Sequence, residues 1–273
     1  MATEEVNIQL IEEIKKLYVE ENNKRLHIQK EKDNKFSSFL EDIKPLYQEE
    51  KQKLLDEISL FRQKYPFLKD ESTLEILNKE KEKNHSKLLA RIWKDNQHVL
   101  CDFIQSIPKL SLSEQLKEWI LEGNYKVETE KQTIGNKYID ILITDNQERY
   151  GIAVENKINS SVSHHERGEL QLDSYYEHIN KKMPEDAVKL CILLSHRNNL
   201  KYTLENDWYY ADYLCVFQSL MKNYSAEKHI LKDYLITVFS LLFPNKDIGE
   251  NINGESSIVD MSLFYQKIIT QIK

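Results

Sequence analysis

The chain has 273 residues, enough for one substantial core with or without a helical appendage. It is 30% charged with a formal charge of −7, and it holds only six glycines and five prolines, a balance that favours helix over strand and excludes a low-complexity or collagen-like chain. Cys101, Cys191 and Cys215 lie far apart with no Cys-x-x-Cys, which excludes a disulfide scaffold and a cysteine zinc site and fits a reducing cytoplasm. The N-terminal Met1–Glu5 lacks the apolar core of a signal peptide. The longest apolar stretch, near Tyr234–Phe243, is about half of the ~20 residues that a membrane span needs, so the expectation is a soluble cytoplasmic protein.

Residues 4–65 read as helices, with one stripe of Leu10, Ile11, Ile14, Leu17 and Tyr18 and a second of Phe39, Ile43, Leu46 and Tyr47 at helical spacing. Pro45 predicts a kink or a junction between two of them, and Pro66 an end. No chemistry-bearing cluster occurs here, and the segment 1–70 is expected to be a helical arm, serving oligomerisation, a partner subunit, or as a cap on the core. From Glu71 the pattern predicts helices over 71–83, 85–106 and 113–122, the last introduced by a capping box at Ser111-x-x-Glu114 and ended by Gly123. Three strands follow, over 125–130, 138–144 and 150–157. A helix is then expected over 168–180, a buried strand over 187–195, and helices over 208–222, 227–242 and 257–272. With no linker and no repeat, residues 71–273 read as one α/β unit, a small mixed sheet flanked by helices with a helical C-terminus.

The chemistry lies at the end of the third strand. Tyr150-Gly151-Ile152-Ala153-Val154 is short, apolar and β-prone, and it runs into Glu155-Asn156-Lys157-Ile158. A carboxylate and a lysine closing a buried strand need a partner there. Alternation puts Glu155 and Lys157 on one side and Asn156 on the other. Other Glu-x-Lys triplets, such as Glu13-Ile14-Lys15 and Glu49-Glu50-Lys51, lie in charged helical stretches and read as solvated faces. Upstream, Tyr138-Ile139-Asp140-Ile141-Leu142-Ile143 embeds an acid among branched residues, and Asp145-Asn146-Gln147 is turn chemistry that joins the two runs as an antiparallel hairpin. Asp140, Glu155 and Lys157 would then meet at one sheet edge. Two hard carboxylates suit Mg²⁺, with Mn²⁺ as a substitute, held against a phosphodiester. Lys157 fits electrostatic support better than a base role, because neighbouring carboxylates raise a lysine's pKa. Glu128 and Glu130 share a strand face and are competing acids. His85-Ser86 reads as a helix cap or a nucleic-acid contact, and His164-His165 as solvent-exposed. The net charge does not exclude a nucleic-acid partner, since Lys131, Lys137, Arg167, Lys181, Lys182, Arg197 and Lys201 flank the sheet and could line a local basic groove.

Ile139-Asp140-Ile141, Val154-Glu155-Asn156-Lys157-Ile158 and Gln171-Leu172-x-x-Tyr175 together resemble the signature of the PD-(D/E)xK nuclease superfamily, in its branch with Asp, Glu-Asn-Lys and Gln-Leu-x-x-Tyr. The chain departs from it before Asp140, where Gly135-Asn136-Lys137-Tyr138-Ile139 stands in place of a common Gly-Arg. The resemblance implies a restriction-endonuclease-like core and a metal-dependent DNA endonuclease of bacterial defence or DNA processing. It further implies that the Asn156 carbonyl and Glu82, in Glu82-Lys83-Asn84-His85-Ser86, add metal ligands, and that the helix face carrying Gln171 and Tyr175 looks towards the site. An amphipathic helix with Gln171 at its edge is the plainer account of that face. The second functional reading is a nucleic-acid- or protein-binding module that keeps the fold without catalysis, favoured by the acidic balance and the long helical N-terminus.

Overall fold

The computed structural model describes residues 2–77, 81–133, 137–162, 171–196, 199–203, 207–243, 261–262 and 264–270. By its internal contacts the chain divides into two compact units, Met1–Asp56 and Glu57–Lys273. The first unit's described residues, 2–56, all belong to one helix, α1, which runs over Ala2–Lys64. Pro45 lies inside it, so of the expected kink or junction the junction is ruled out. The proline forfeits one backbone hydrogen bond, but the strong helix formers on either side carry the helix through.

In the second unit a 3-10 turn at Pro66–Lys69 leads into α2 (Thr73–Leu77), α3 (Glu82–Asp95), α4 (Gln97–Gln105) and α5 (Glu114–Glu122). The helix expected over 85–106 is broken at Asn96, whose non-helical backbone (φ −143°, ψ 87°) separates α3 from α4 and whose amide donates to the Ile92 carbonyl. Ser113, not Ser111, caps α5, accepting from the Leu116 N–H, and Gly123 closes it in the left-handed region at φ 71°.

Five strands form one sheet in the order β1-β2-β3-β4-β5, namely Lys126–Gln132, Tyr138–Thr144, Tyr150–Lys157, Val188–Ser195 and Trp208–Asp212. The first two pairings are antiparallel and the last two parallel. The hairpin between β2 and β3 is closed by Asp145, whose Oδ1 accepts from the N–H groups of Arg149 and Tyr150 at 2.7 and 3.2 Å. Helix α6 (Gln171–Lys182) joins β3 to β4 and covers one face through Leu172, Tyr175 and Ile179, which meet Ala153, Cys191 and Leu193. Helix α3 lies across β1–β3, and α4, α7 (Tyr213–Lys222) and α8 (His229–Leu242) pack together beside it. Gly151 allows α6's end to come close: a Cβ there would sit 2.5 Å from Met183 Sδ.

Trp208–Asp212 is a strand, not the start of a helix running to Lys222. Trp208, Ala211 and Cys215 fall at helical spacing, which conceals a strand–helix junction placed at Asp212. Of the helix expected over 257–272, the described part is a helical turn at 261–262 and a π-turn at Tyr265–Ile269; the rest lies outside the described residues. Among the described residues no helix is long and apolar enough to cross a membrane.

Asp212 Oδ1 accepts from the Cys215 N–H at 3.2 Å and so starts α7. Asp212→Ala is expected to lower stability by about 1 kcal/mol with an unchanged denaturant slope, measured by urea unfolding.

Candidate metal and catalytic site

The register of the sheet settles which side chains meet. Leu142 pairs with Ala153 and Ala153 with Cys191, so all three look to the α6 side. Two residues along each strand, Asp140, Glu155 and then Lys157 emerge on that same side, at the end where the β2–β3 pairing stops. Helix α6 supplies Gln171 and Tyr175 from above, one turn apart on a shared face.

Lys157 Nζ lies 2.7 Å from Glu155 Oε1. The Gln171 amide donates to the same oxygen at 3.0 Å and to the Tyr175 hydroxyl at 2.6 Å, and Tyr175 in turn donates to the Tyr138 carbonyl at 2.7 Å. Glu155 Oε1 is thus well supplied with donors, whereas Glu155 Oε2 and Gln171 Oε1 are buried without any. Burial, then the neighbouring Asp140 charge, push Glu155 up to about 8, and burial also raises Asp140 despite the Asn156 N–H and the Lys157 charge. Burial works against the Lys157 ammonium, but Glu155 outweighs it, so Lys157 stays above its usual value and remains charged. Burial and the Glu155 charge raise Tyr175 as well, keeping it a neutral phenol.

On the other side of β3, Asn156 is held from three elements. Its side-chain amide donates to the Glu82 carbonyl and to Ser86 Oγ at 3.3 and 3.2 Å, and its Oδ1 accepts from the Tyr213 hydroxyl at 2.8 Å. Its N–H donates to Asp140 Oδ2 at 2.8 Å. Along a strand the C=O of a residue leaves on the same edge as its N–H, so the Asn156 carbonyl faces the Asp140 side beyond the last β2–β3 pair. The Asn156 side chain, by contrast, is fully engaged away from the site.

Glu82, at the first turn of α3, comes near the site in a different way from a plain ligand. Its Oε1 accepts from the N–H groups of Ile158, Asn159 and Ser160 at 2.9, 3.3 and 3.2 Å and from Ser160 Oγ at 2.7 Å. Burial opposes its ionisation, but these hydrogen bonds and the Lys157 charge prevail and hold Glu82 below the usual carboxylate value.

The competing acids are elsewhere. Glu128 pairs with Lys131 at 2.8 Å and Glu130 with Lys83 at 2.5 Å, the latter from a left-handed backbone (φ 52°) between the paired Thr129 and Lys131. His85 neither caps a helix nor reaches solvent: it is wholly buried, its Nδ1 3.0 Å from the Tyr234 hydroxyl and its ring edge-on to Tyr213. Lys81 stands at the cap of α3 instead. Of the candidate basic groove, Lys131, Lys181 and Lys182 are paired with Glu128, Glu177 and Glu148, and Lys137 reaches Ser174. Arg167, Arg197, His164 and His165 lie outside the described residues. Ser86, Ser160 and Tyr213 hold the site together without a motif of their own; Ser86 alone had a signal, its place beside His85.

The donor set fits a hard divalent cation. Among the described residues no three His, Cys, Asp or Glu side chains converge as a ready-made cluster. Two carboxylates with water completing the shell are nevertheless what Mg²⁺ accepts, and Glu155 Oε2 is a buried carboxylate oxygen without a protein donor.

A family model described as the PD-(D/E)XK nuclease superfamily matches residues 72–248, well over half of the chain. No curated protein matches it, and no solved structure matches it.

The raised Glu155 has a pH consequence for the metal-free protein. The folded state keeps a proton that the unfolded chain loses above its ordinary value of 4.5, so this contribution is full below 4.5 and is lost as pH rises through about 8. Asp140 acts in the same direction, while the lowered Glu82 acts below its ordinary value of 4.5. In EDTA the melting temperature should therefore fall between about pH 5 and pH 8, and Glu155→Gln should flatten that fall. Thermal unfolding followed by circular dichroism across this range is the check.

Proposed function

This chain belongs to the PD-(D/E)XK nuclease superfamily, and from that premise we propose that it is a Mg²⁺-dependent DNA endonuclease acting through Asp140, Glu155, Lys157 and Gln171. The observation that carries the reading is the meeting of two carboxylates, an ammonium and a glutamine amide on one sheet face, with Glu155 Oε2 and Gln171 Oε1 left without donors. Nothing in packing alone requires two acids and a lysine at a buried strand end, since such groups cost free energy unless something completes them.

Asp140 and Glu155 would hold the cation, with the Asn156 carbonyl as a further oxygen on the same side. Bound there, a divalent ion supplies neutralisation of phosphate charge and a water of lowered pKa. Lys157 stays protonated, so its part is to place positive charge beside the pentavalent phosphorus where negative charge accumulates. Glu155 Oε1 fixes that ammonium in place at 2.7 Å. Gln171 holds the same oxygen from α6, and its own carbonyl Oε1 is left to orient a water or accept from one. Tyr175 anchors Gln171 to the β2 backbone and takes no proton itself. Glu82 is assigned to the support of the turn after β3, with Oε2 as its only oxygen open to the ion or its waters. DNA is the substrate in line with the resemblance, and the members' common chemistry is phosphodiester hydrolysis.

Plasmid cleavage in Mg²⁺, Mn²⁺ or EDTA tests the reading. Cleavage should need the metal, and Asp140→Asn, Glu155→Gln and Lys157→Ala should each reduce it by at least about 10²-fold with folded spectra retained. Gln171→Ala should cost less, about 10-fold, because it acts through Glu155. If the wild type is as inert as Lys157→Ala on duplex DNA, single-stranded DNA and RNA with either metal, the enzyme reading is wrong. Cleavage of RNA alone would move the substrate and leave the site intact.

A further inference from the structure

Over residues 15–56 of the first unit, where side chains are described, Leu17, Tyr18, Ile28, Phe36, Phe39 and Ile43 lie in water on one side of α1, with Leu17 65% and Phe36 61% exposed, while the exposed Val19 and Leu26 lie off that side. At 100° per residue these six fall within one stripe, and a helix keeps such a stripe when another surface covers it. The charges beside the stripe say what that surface is. Glu20, Lys24, Glu31 and Lys35 are spaced four, seven and four apart, so they line a single flank of the helix, reading minus, plus, minus, plus.

In an antiparallel pair of identical helices each flank faces its own copy, whereas in a parallel pair it faces the opposite flank. Reversing the series against itself sets Glu20 on Lys35 and Lys24 on Glu31, and symmetry makes each of these contacts twice. The same offset places Tyr18 over the gap between Phe36 and Phe39 of the other copy. It also brings Lys32, in the stripe, between Glu21 and Arg25 rather than onto a second Lys32, as a parallel in-register pair would. We propose that α1 is a dimerisation arm that pairs antiparallel with α1 of a second copy of this chain, about an axis between His27 and Ile28. The assignment stands apart from the nuclease chemistry.

The test uses the full chain. Light scattering coupled to size exclusion should give twice the 32.5 kDa chain mass. Lys24→Glu with Lys35→Glu makes the flank wholly acidic and should return the mass to that of one chain, and Glu20→Lys with Glu31→Lys should do the same with a basic flank. Mixing the two variants should restore a dimer containing one of each. The orientation is read by disulfide trapping, since the native Cys101, Cys191 and Cys215 are buried. Ile28→Cys, beside the axis, should cross-link to itself, while Leu17→Cys should not, its two copies lying about 30 Å apart along the pair. Each variant should retain the wild-type circular dichroism spectrum, which separates loss of pairing from loss of fold. A wild type that remains one chain at every concentration overturns the proposal, as does a dimer whose Leu17→Cys form cross-links to itself.

Discussion

Asn156 is the point on which the site depends. Its N–H goes to Asp140, and its side chain is tied to Ser86 and the Glu82 carbonyl of α3 and to Tyr213 at the start of α7. These bonds fix the rotation of β3 at one residue, and strand geometry then sends Glu155 and Lys157 to the opposite face together. An asparagine suits the position because it both donates and accepts, which a carboxylate or a second lysine would not. All of its side-chain partners are protein groups in a dry interior, so the amide is satisfied in this one orientation and left short of partners in others.

That anchoring explains how a buried acid pair can be kept close at all. Asp140 and Glu155 repel each other, burial penalises both, and Lys157 compensates only one of the two charges. Left to relax, such a pair would separate or turn to solvent. Here Asp140 is restrained by the Asn156 N–H and Glu155 by Lys157 and Gln171, so the repulsion shows as raised carboxyl pKa values and not as separation. The acidic balance of the whole chain therefore says little against phosphate chemistry; the deciding charge is local.

The strand pair carrying these residues was legible because each signal was local. Ile139-Asp140-Ile141 alternates, Asp145 makes its turn within five residues, and Val154 to Ile158 place acid and lysine two apart, so β2 and β3 have the expected bounds. What supports them was not legible, since Ser86 and Tyr213 reach Asn156 from 70 and 57 residues away and neither belongs to a pattern. Strand β5 was concealed by aromatic and apolar positions that satisfy both periods, and α3 was joined to α4 because Asn96 is a weak breaker in an otherwise continuous apolar stripe. At Pro45 the sequence left a kink and a boundary open, and the residue lies within a helix. His85 beside Ser86 resembled an exposed cap in sequence, and only the packing of Tyr213 and Tyr234 around it makes it a core residue.

Glu82 sharpens the division of labour among the three acids. Three backbone N–H groups and a hydroxyl converge on its Oε1, the arrangement that favours a carboxylate's charged form without any cation. Its environment and that of Glu155 push two nearby carboxyls in opposite directions, one below its usual value and one above it. Negative charge at Glu82 is already met by the turn it closes, whereas Asp140 and Glu155 have the single Lys157 ammonium beside them. Glu82 is thereby committed through Oε1 to residues 158–160, the turn that follows Lys157.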